Sequence, residues 1–349
     1  MNKDNKIIFI GPGKGTVTGQ NQVLKGCVAA ITESELISSG AEGEHLVSKV
    51  LLLIMAIIKY STKSVYQKNS TLISASRSTA GFLKDAPFLL ISLCFSTKTV
   101  IHAHGNDFEN IFSSNVWVVK TLSRILYRKA DLILIPNSYM SSQFLEIGID
   151  GRKVKVLNNY HEYTADINDF CAGKRMLFLS NLTKDKGLFE AIEIFENVLK
   201  THPDSTLDIA GASLLSEMQH NEFQKILSRN NRIYFHGPVY RKEKEQLLRE
   251  CDILLFPSKY KTEASPLVLL EAMAHGLAVV LYKHNNIHEV LPINDYVVNG
   301  YNTSSMSDKV HLLLNDFSAQ RNYKFKCHKK SKEFKFEDFA RNLRFHLEI

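Results

Sequence analysis

Short apolar runs alternate with longer segments of helical period along almost the whole chain, the pattern of parallel strands joined by crossover helices. Ile7-Ile-Phe-Ile10 opens the series, and further strands are expected at 71–75, 99–103, 132–135 and 154–157. Between them, 116–129 reads as a helix with Val116, Val119, Lys120, Ser123 and Tyr127 on one stripe. Around 158–173 the apolar pattern gives way to Asn, Asp, His and Tyr, as a linker would. The rhythm then restarts, with strands expected at 176–179, 207–210, 232–235, 253–256 and 278–281 and a helix at 188–199. The fold class is therefore α/β, with two successive doubly wound domains.

Length agrees with this division, because 349 residues exceed what one hydrophobic core organises. The longest apolar run, 50–58, is too short for a bilayer span of about 20 residues. It reads as a buried helix flanked by Lys49 and Lys59, with a membrane-dipping segment as the alternative. The tail from Asp316 onward is helical and basic through Lys324, Lys326, Lys329, Lys330 and Lys332. Such a run is read as a solvated face, with membrane or acceptor contact as the alternative.

The formal net charge is +7, and the excess lies in the first half, where 18 basic residues face 12 acidic ones through Glu162. An anionic membrane or a phosphorylated substrate suits that excess. Nucleic acid does not, because the basic residues are scattered and no RNA-binding or zinc-finger signature accompanies them. The five cysteines are far apart and form no Cys-x-x-Cys, so neither a disulfide framework nor a zinc site is indicated. A reducing cytosol is the expected setting, and no signal-peptide core precedes the first strand.

Candidate chemistry concentrates in Glu263-Ala-Ser-Pro-Leu-Val-Leu-Leu-Glu271. Ser265 as N-cap, Pro266 at the first position and Gly276 as a stop define a short helix over 266–275. Its free amides and positive dipole end suit a diphosphate. Glu271 leans back toward that end, and Glu263 lies in the loop before it, so the two carboxylates can serve the ribose and the transferred sugar of a nucleotide sugar. In the first half, Ile101-His-Ala-His-Gly105 places His102 and His104 on one face at a sheet's carboxyl edge, where ligands bind in open parallel sheets. The sequence positions no third ligand, so a metal pair is not favoured. The Gly11–Gly19 loop is neither a dinucleotide fingerprint nor a P-loop, and a plain turn is its alternative reading.

The Glu-x7-Glu segment follows Phe256-Pro-Ser258 and continues into Glu271-Ala-Met-Ala-His-Gly-Leu-Ala-Val-Val280. In this it resembles family 4 of the retaining GT-B glycosyltransferases, whose typical form is Glu-Gly-Phe-Pro-Leu-Val-Leu-Leu-Glu-Ala-Met-Ala. Ala130 to Ser138, Lys153 to Asn158, Leu177 to Gly187, Asp208 to Gly211 and Phe235 to Val239 agree with that family in order. The resemblance implies two Rossmann-like doubly wound domains facing across a cleft (GT-B). The expected divisions are an acceptor-side domain over 1–165, a donor domain over 166–330, and a C-terminal helix within 331–349 that packs back toward the N-terminal domain.

The resemblance also implies roles. Lys186 would contact the donor diphosphate, together with the helix start at Ser265, Pro266, Leu267 and Val268. Glu271 would hold the ribose, Glu263 would orient the sugar, and His104 would face that sugar across the interdomain cleft. Gly15, Gly19 and Gln20 belong to a loop that would close over the donor. Asn181 stands where many members have Arg, which removes one cation and motivates a catalytically weak or silent homologue that binds nucleotide sugar or glycan as the alternative. Asn106, Asp107, Arg77 and Lys84 are acceptor-side candidates, the last two for an anionic acceptor such as a lipid diphosphate. The loop over 74–85 resembles a subgroup acting in bacterial surface-polysaccharide assembly.

The function expected is retaining transfer of a hexose-type sugar from a UDP- or GDP-linked donor to a hydroxyl of a glycan or lipid-linked glycan. No cofactor and no metal are expected. The enzyme would be cytoplasmic, with peripheral contact to an anionic membrane through its basic N-terminal half. An epimerase or a phosphorylase is the rival activity, and a phosphorylase would need more phosphate-binding cations.

Overall fold

The computed structural model describes residues 6–13, 18–40, 45–163 and 170–348. The chain divides into two compact units. The first comprises Met1–Tyr160, Thr262–Ser265 and Phe336–Ile349, and the second His161–Lys261 and Pro266–Lys335.

In chain order the first unit holds β1 (Lys6–Gly11), α1 (Gly19–Ala29), β2 (Ser34–Ser38), α2 (Leu46–Tyr66), β3 (Asn69–Ser74) and α3 (Thr79–Phe95). It continues with β4 (Lys98–His102), α4 (Glu109–Phe112), α5 (Trp117–Lys129), β5 (Leu132–Ile135), α6 (Ser141–Leu145) and β6 (Val154–Val156). Its sheet has six strands in the order β2-β1-β3-β4-β5-β6, and every pairing is parallel. Central strands such as Ile7 to Ile10 are buried along their whole length, as a sheet covered on both faces requires. The register sets Ser74 of β3 opposite His102 of β4 at the carboxyl edge.

The second unit repeats the architecture with β7 (Arg175–Leu179), α7 (Leu188–Leu199), β8 (Thr206–Ala210), α8 (Glu217–Arg229), β9 (Ile233–Phe235) and α9 (Arg241–Glu250). There follow β10 (Ile253–Phe256), α10 (Leu267–Ala274), β11 (Ala278–Tyr282), β12 (Val297–Val298), α11 (Thr303–Asn315) and α12 (Phe317–Ser331). Its sheet runs β12-β11-β10-β7-β8-β9, again parallel. Two parallel-sheet, Rossmann-like units are thus present. The last helix, α13 (Phe336–Leu347), belongs to the first unit, where Phe339 packs against Tyr160 with ring centroids 4.7 Å apart.

Two strands escape the sequence pattern, and three local expectations need correction. The strands β2 and β12 carry too short or too polar an apolar signal to be read from sequence, since Ser-Glu-Leu-Ile-Ser is half-buried and Val297-Val298 is only two residues long. The 266–275 helix starts at Leu267, with Pro266 as its cap and no side-chain capping bond, because Ser265 turns into the first unit. Lys324 is not solvated, since it is buried with its ammonium on Asp252 at 2.9 Å and on the Cys171 carbonyl at 2.7 Å. Finally, the 50–58 run is not a buried helix. It lies in α2, whose Ala56, Tyr60 and Ser64 are buried while Val50, Leu51, Ile54, Met55 and Ile58 are exposed. Among the described residues, no helix is long and apolar enough to cross a membrane.

Candidate functional site

In the first unit the carboxyl ends of β3, β4, β5 and β6 carry the polar candidates. His102 ends β4 and His104 lies two residues beyond, with ring centroids 4.1 Å apart. Burial lowers the His102 pKa to about 3. His104 is held well below the ordinary histidine range by burial first, then by His102 and Arg77. Both rings are therefore neutral at pH 7. Their Nε2 atoms are buried and unpaired among the described residues. On its other side, His102 Nδ1 lies 3.7 Å from the Cys27 thiol, which burial makes a poor acid.

The loop after His104 is held by Arg77. Its guanidinium pairs with Asp107 at 2.7 Å and lies so close to Gly105 that a Cβ there would sit 2.3 Å from Nη1. Arg77 and Asp107 thus satisfy each other. Lys84 is likewise engaged, bonding Ser39 at 2.9 Å and Asp85 at 3.1 Å. Gln20 donates to Ser74 Oγ at 3.0 Å, and Gly19 opens α1 behind the Thr18 cap. Gly15 lies outside the described residues.

Three asparagine amides grip one short segment of this unit. Asn106 donates to the Glu263 carbonyl at 2.7 Å, Asn137 to the Ala264 carbonyl, and Asn159 to the Ser265 carbonyl at 2.8 Å. The three follow β4, β5 and β6 in turn. Glu263 is buried, and its backbone position is fixed through this set. Asn137 and Asn159 were not singled out from sequence. Their placement just past the ends of two apolar strands was the available signal.

In the second unit the candidates lie on loops after β7 and β10 and on α10. Two glycines shape the first loop. Gly187 has φ +85, and a Cβ there would stand 2.2 Å from the Pro257 carbonyl oxygen. Gly211 has φ +148, and a Cβ would meet the Ser180 carbonyl oxygen at 1.8 Å. Only glycine fits such positions. Lys186 therefore directly precedes Gly187, the N-cap of α7, and its ammonium sits 4.5 Å from the Tyr260 ring centroid. Tyr260 holds that cation over its face. Asn181 is exposed in the same loop. Lys259, also nearby in sequence to Tyr260, is paired with Glu190.

Helix α10 is apolar on nearly every side, with six of its eight residues buried, Glu271 among them. The Glu271 carboxylate is met by Lys244 of α9 at 2.5 Å, with 5% and 22% of the two side chains exposed. A carboxylate in such surroundings needs a partner, and Lys244 supplies the charge while Glu271 keeps further acceptor capacity. Lys244 was not singled out from sequence. It falls on the same stripe as the buried Leu247 and Leu248, where a cation demands explanation. At the start of α10, Pro266 has no N–H, so the amides of Leu267 and Val268 are the ones that a helix leaves for an outside acceptor.

Known proteins share this fold and part of this sequence. Residues 168–330 match the model of glycosyl transferases group 1. An uncharacterized 41.2 kDa protein in the cps region of Klebsiella pneumoniae is 27% identical over 275 residues, covering 74% of this chain and 71% of that protein. Sulfoquinovosyl transferase SQD2 of Arabidopsis thaliana is 25% identical over 57% of this chain, a stretch that spans 41% of its own length. Among solved structures, HepE of Anabaena in complex with UDP superposes with a TM-score of 0.75 at 16% identity, over 98% of this chain and 99% of that one. The chain thus has the two Rossmann-like units of the GT-B glycosyltransferases, and its second unit carries the match to glycosyl transferases group 1.

Proposed function

We infer that this chain is a retaining hexosyltransferase of family 4 type, moving a sugar from a UDP- or GDP-linked donor to a hydroxyl of a glycan or lipid-linked glycan. Cell-surface polysaccharide synthesis is the setting, supported by the relative from a Klebsiella cps region. The observation that carries the reading is the buried Glu271 on α10, held by Lys244 and within about 6 Å along the axis of the free amides at Leu267 and Val268. A group with hydroxyls at one end and a diphosphate at the other meets those needs.

As the bond from the anomeric carbon to the diphosphate oxygen breaks, negative charge grows on the departing phosphate. Lys186 and the amides of Leu267 and Val268 stabilise that charge, which is the largest electrostatic demand of such a reaction. No divalent metal is required for this, and the Asn181 position is left without a cation of its own. Glu271 accepts from the ribose hydroxyls. Glu263 and the neutral His104 serve the uncharged sugar, Gln20 and Gly19 line the donor loop, and Asn106 and Asp107 serve the acceptor. The protein works in the cytoplasm, with its acceptor at a membrane.

The test is a thermal-shift panel with UDP, GDP, ADP and CMP, followed by assay of nucleoside diphosphate released from donors with acceptor extract. One diphosphate should raise the melting temperature, because a ligand that binds only the folded state stabilises it by mass action. Release should depend on acceptor. Binding without release would establish the silent homologue instead, and no shift with any nucleotide would refute both.

A further inference from the structure

We propose that the outward face of α2, continued by α3 and α5, is a docking surface for an anionic lipid bilayer, on which the helices lie without crossing it. It deepens the lipid-linked acceptor reading and rests on that reading only for why a bilayer would be approached.

The argument begins with the spacing on α2. Val47, Leu51, Ile54, Met55 and Ile58 recur at three- and four-residue intervals and are all exposed, Met55 at 64%. They form one stripe roughly 16 Å long at about 1.5 Å per residue. The opposite stripe, Ala56, Tyr60 and Ser64, is packed inward, where Tyr60 bonds Thr71 at 2.7 Å. The outward apolar residues therefore contribute nothing to the described core. An isolated exposed leucine is ordinary, but an unbroken apolar stripe on a surface helix marks a surface that is covered in use.

The stripe has neighbours. Helix α2 packs on α3, and α3 on α5, so the three share one layer. Leu83 and Leu90 are exposed on α3, and Trp117 is 74% exposed at the start of α5. Tryptophan is favoured at the headgroup level of a bilayer, where an apolar ring can keep a polar edge wet.

Charge selects the occupant. Neither α2 nor α5 contains an Asp or Glu, while Lys49, Lys59, Lys120, Arg128 and Lys129 are exposed on them. Lys59 also meets Glu35 at 2.9 Å and Arg128 donates to the Ile147 carbonyl, so Lys49, Lys120 and Lys129 carry the argument. An apolar stripe set among cations fits anionic headgroups above acyl chains, with the long basic side chains reaching up to the phosphates. A second copy of the same face would set cations against cations.

The experiment is cosedimentation of the full chain with phosphatidylcholine vesicles, with and without phosphatidylglycerol. The parent should bind the anionic vesicles at least about tenfold more tightly than the neutral ones, as a polybasic surface does. The double variant Leu51→Glu, Met55→Glu should weaken that binding by about tenfold or more. Its melting temperature and its shift with nucleoside diphosphate should match the parent's. Trp117→Ser, on a different helix, should weaken vesicle binding independently. A parent that stays in the supernatant with anionic vesicles, or variants that sediment as the parent does, would overturn the proposal. So would a parent dimer that the double variant converts to monomer, since the face would then join two copies. A parent that shifts with nucleoside diphosphate but does not bind anionic vesicles counts against the docking surface alone, and a parent that binds those vesicles without any nucleotide shift counts against the donor site alone.

Discussion

The carboxyl edges of the two sheets are built alike in backbone and differently in charge. In the first unit, two neutral histidines lie at and just beyond the end of β4, Arg77 is matched by Asp107, and three asparagine amides donate to the carbonyls of 263–265. In the second, Lys186 stands over an aromatic face, Lys244 meets Glu271, and two helices, α7 and α10, begin at the same edge. The first edge offers hydrogen bonds without net charge, as sugar hydroxyls require. The second offers cations and helix amides, as a diphosphate requires. One fold serves both because its sheet fixes where the loops emerge, and the loops alone set the electrostatics.

The contrast is most severely tested at Lys186. Replacing it by Ala should lower kcat by roughly 10²- to 10³-fold, the usual cost of removing a group that stabilises leaving-group charge, as measured by nucleoside diphosphate release. A change in KM alone would make it a simple binding residue. Next comes Lys244→Met, which leaves Glu271 buried without its counter-ion. Nucleotide affinity should fall about tenfold, and the protein should lose about 1–3 kcal/mol in urea unfolding.

The neutral histidines test the other edge. A histidine whose pKa falls on folding is protonated more readily in the unfolded chain, so its stabilising contribution is complete above the unfolded value near 6.5. It is lost as pH falls toward the folded value of about 3 for His102. Urea unfolding between pH 7 and 4 should show that decline, and His102→Gln should make it shallower by up to about 1.4 kcal/mol per pH unit. An unchanged slope would mean that the first edge is not electrically silent.

Sequence and structure diverge most instructively at two apolar helices. The 50–58 run of α2 and the eight residues of α10 are both apolar on nearly every side, a pattern that predicts burial for each. It holds for α10, which is eight residues long and enclosed by its unit's core, and fails for α2, whose 21 residues extend one apolar stripe outward. Periodicity reports how many faces are apolar and says nothing of what covers them. The strands were legible because parallel strands buried on both faces give continuous apolar runs, and Leu132–Ile135 and Ile253–Phe256 fall where those runs predicted. The short β12 gave no such run. Local pattern also could not reveal that Ser265 would be drawn from the start of α10 to Asn159, or that Lys244 would reach Glu271. Both depend on pairings between residues far apart in sequence.

The central claim is that Glu271 holds the nucleotide while Glu263 serves the sugar. Calorimetric titration of the nucleoside diphosphate, combined with turnover of the nucleotide sugar, tests it in the Glu271→Ala and Glu263→Ala variants. Glu271→Ala should weaken nucleotide binding by about 10- to 100-fold, and Glu263→Ala should leave that binding nearly intact while lowering kcat. If both variants bind and react as the parent does, the donor site has been assigned to the wrong residues.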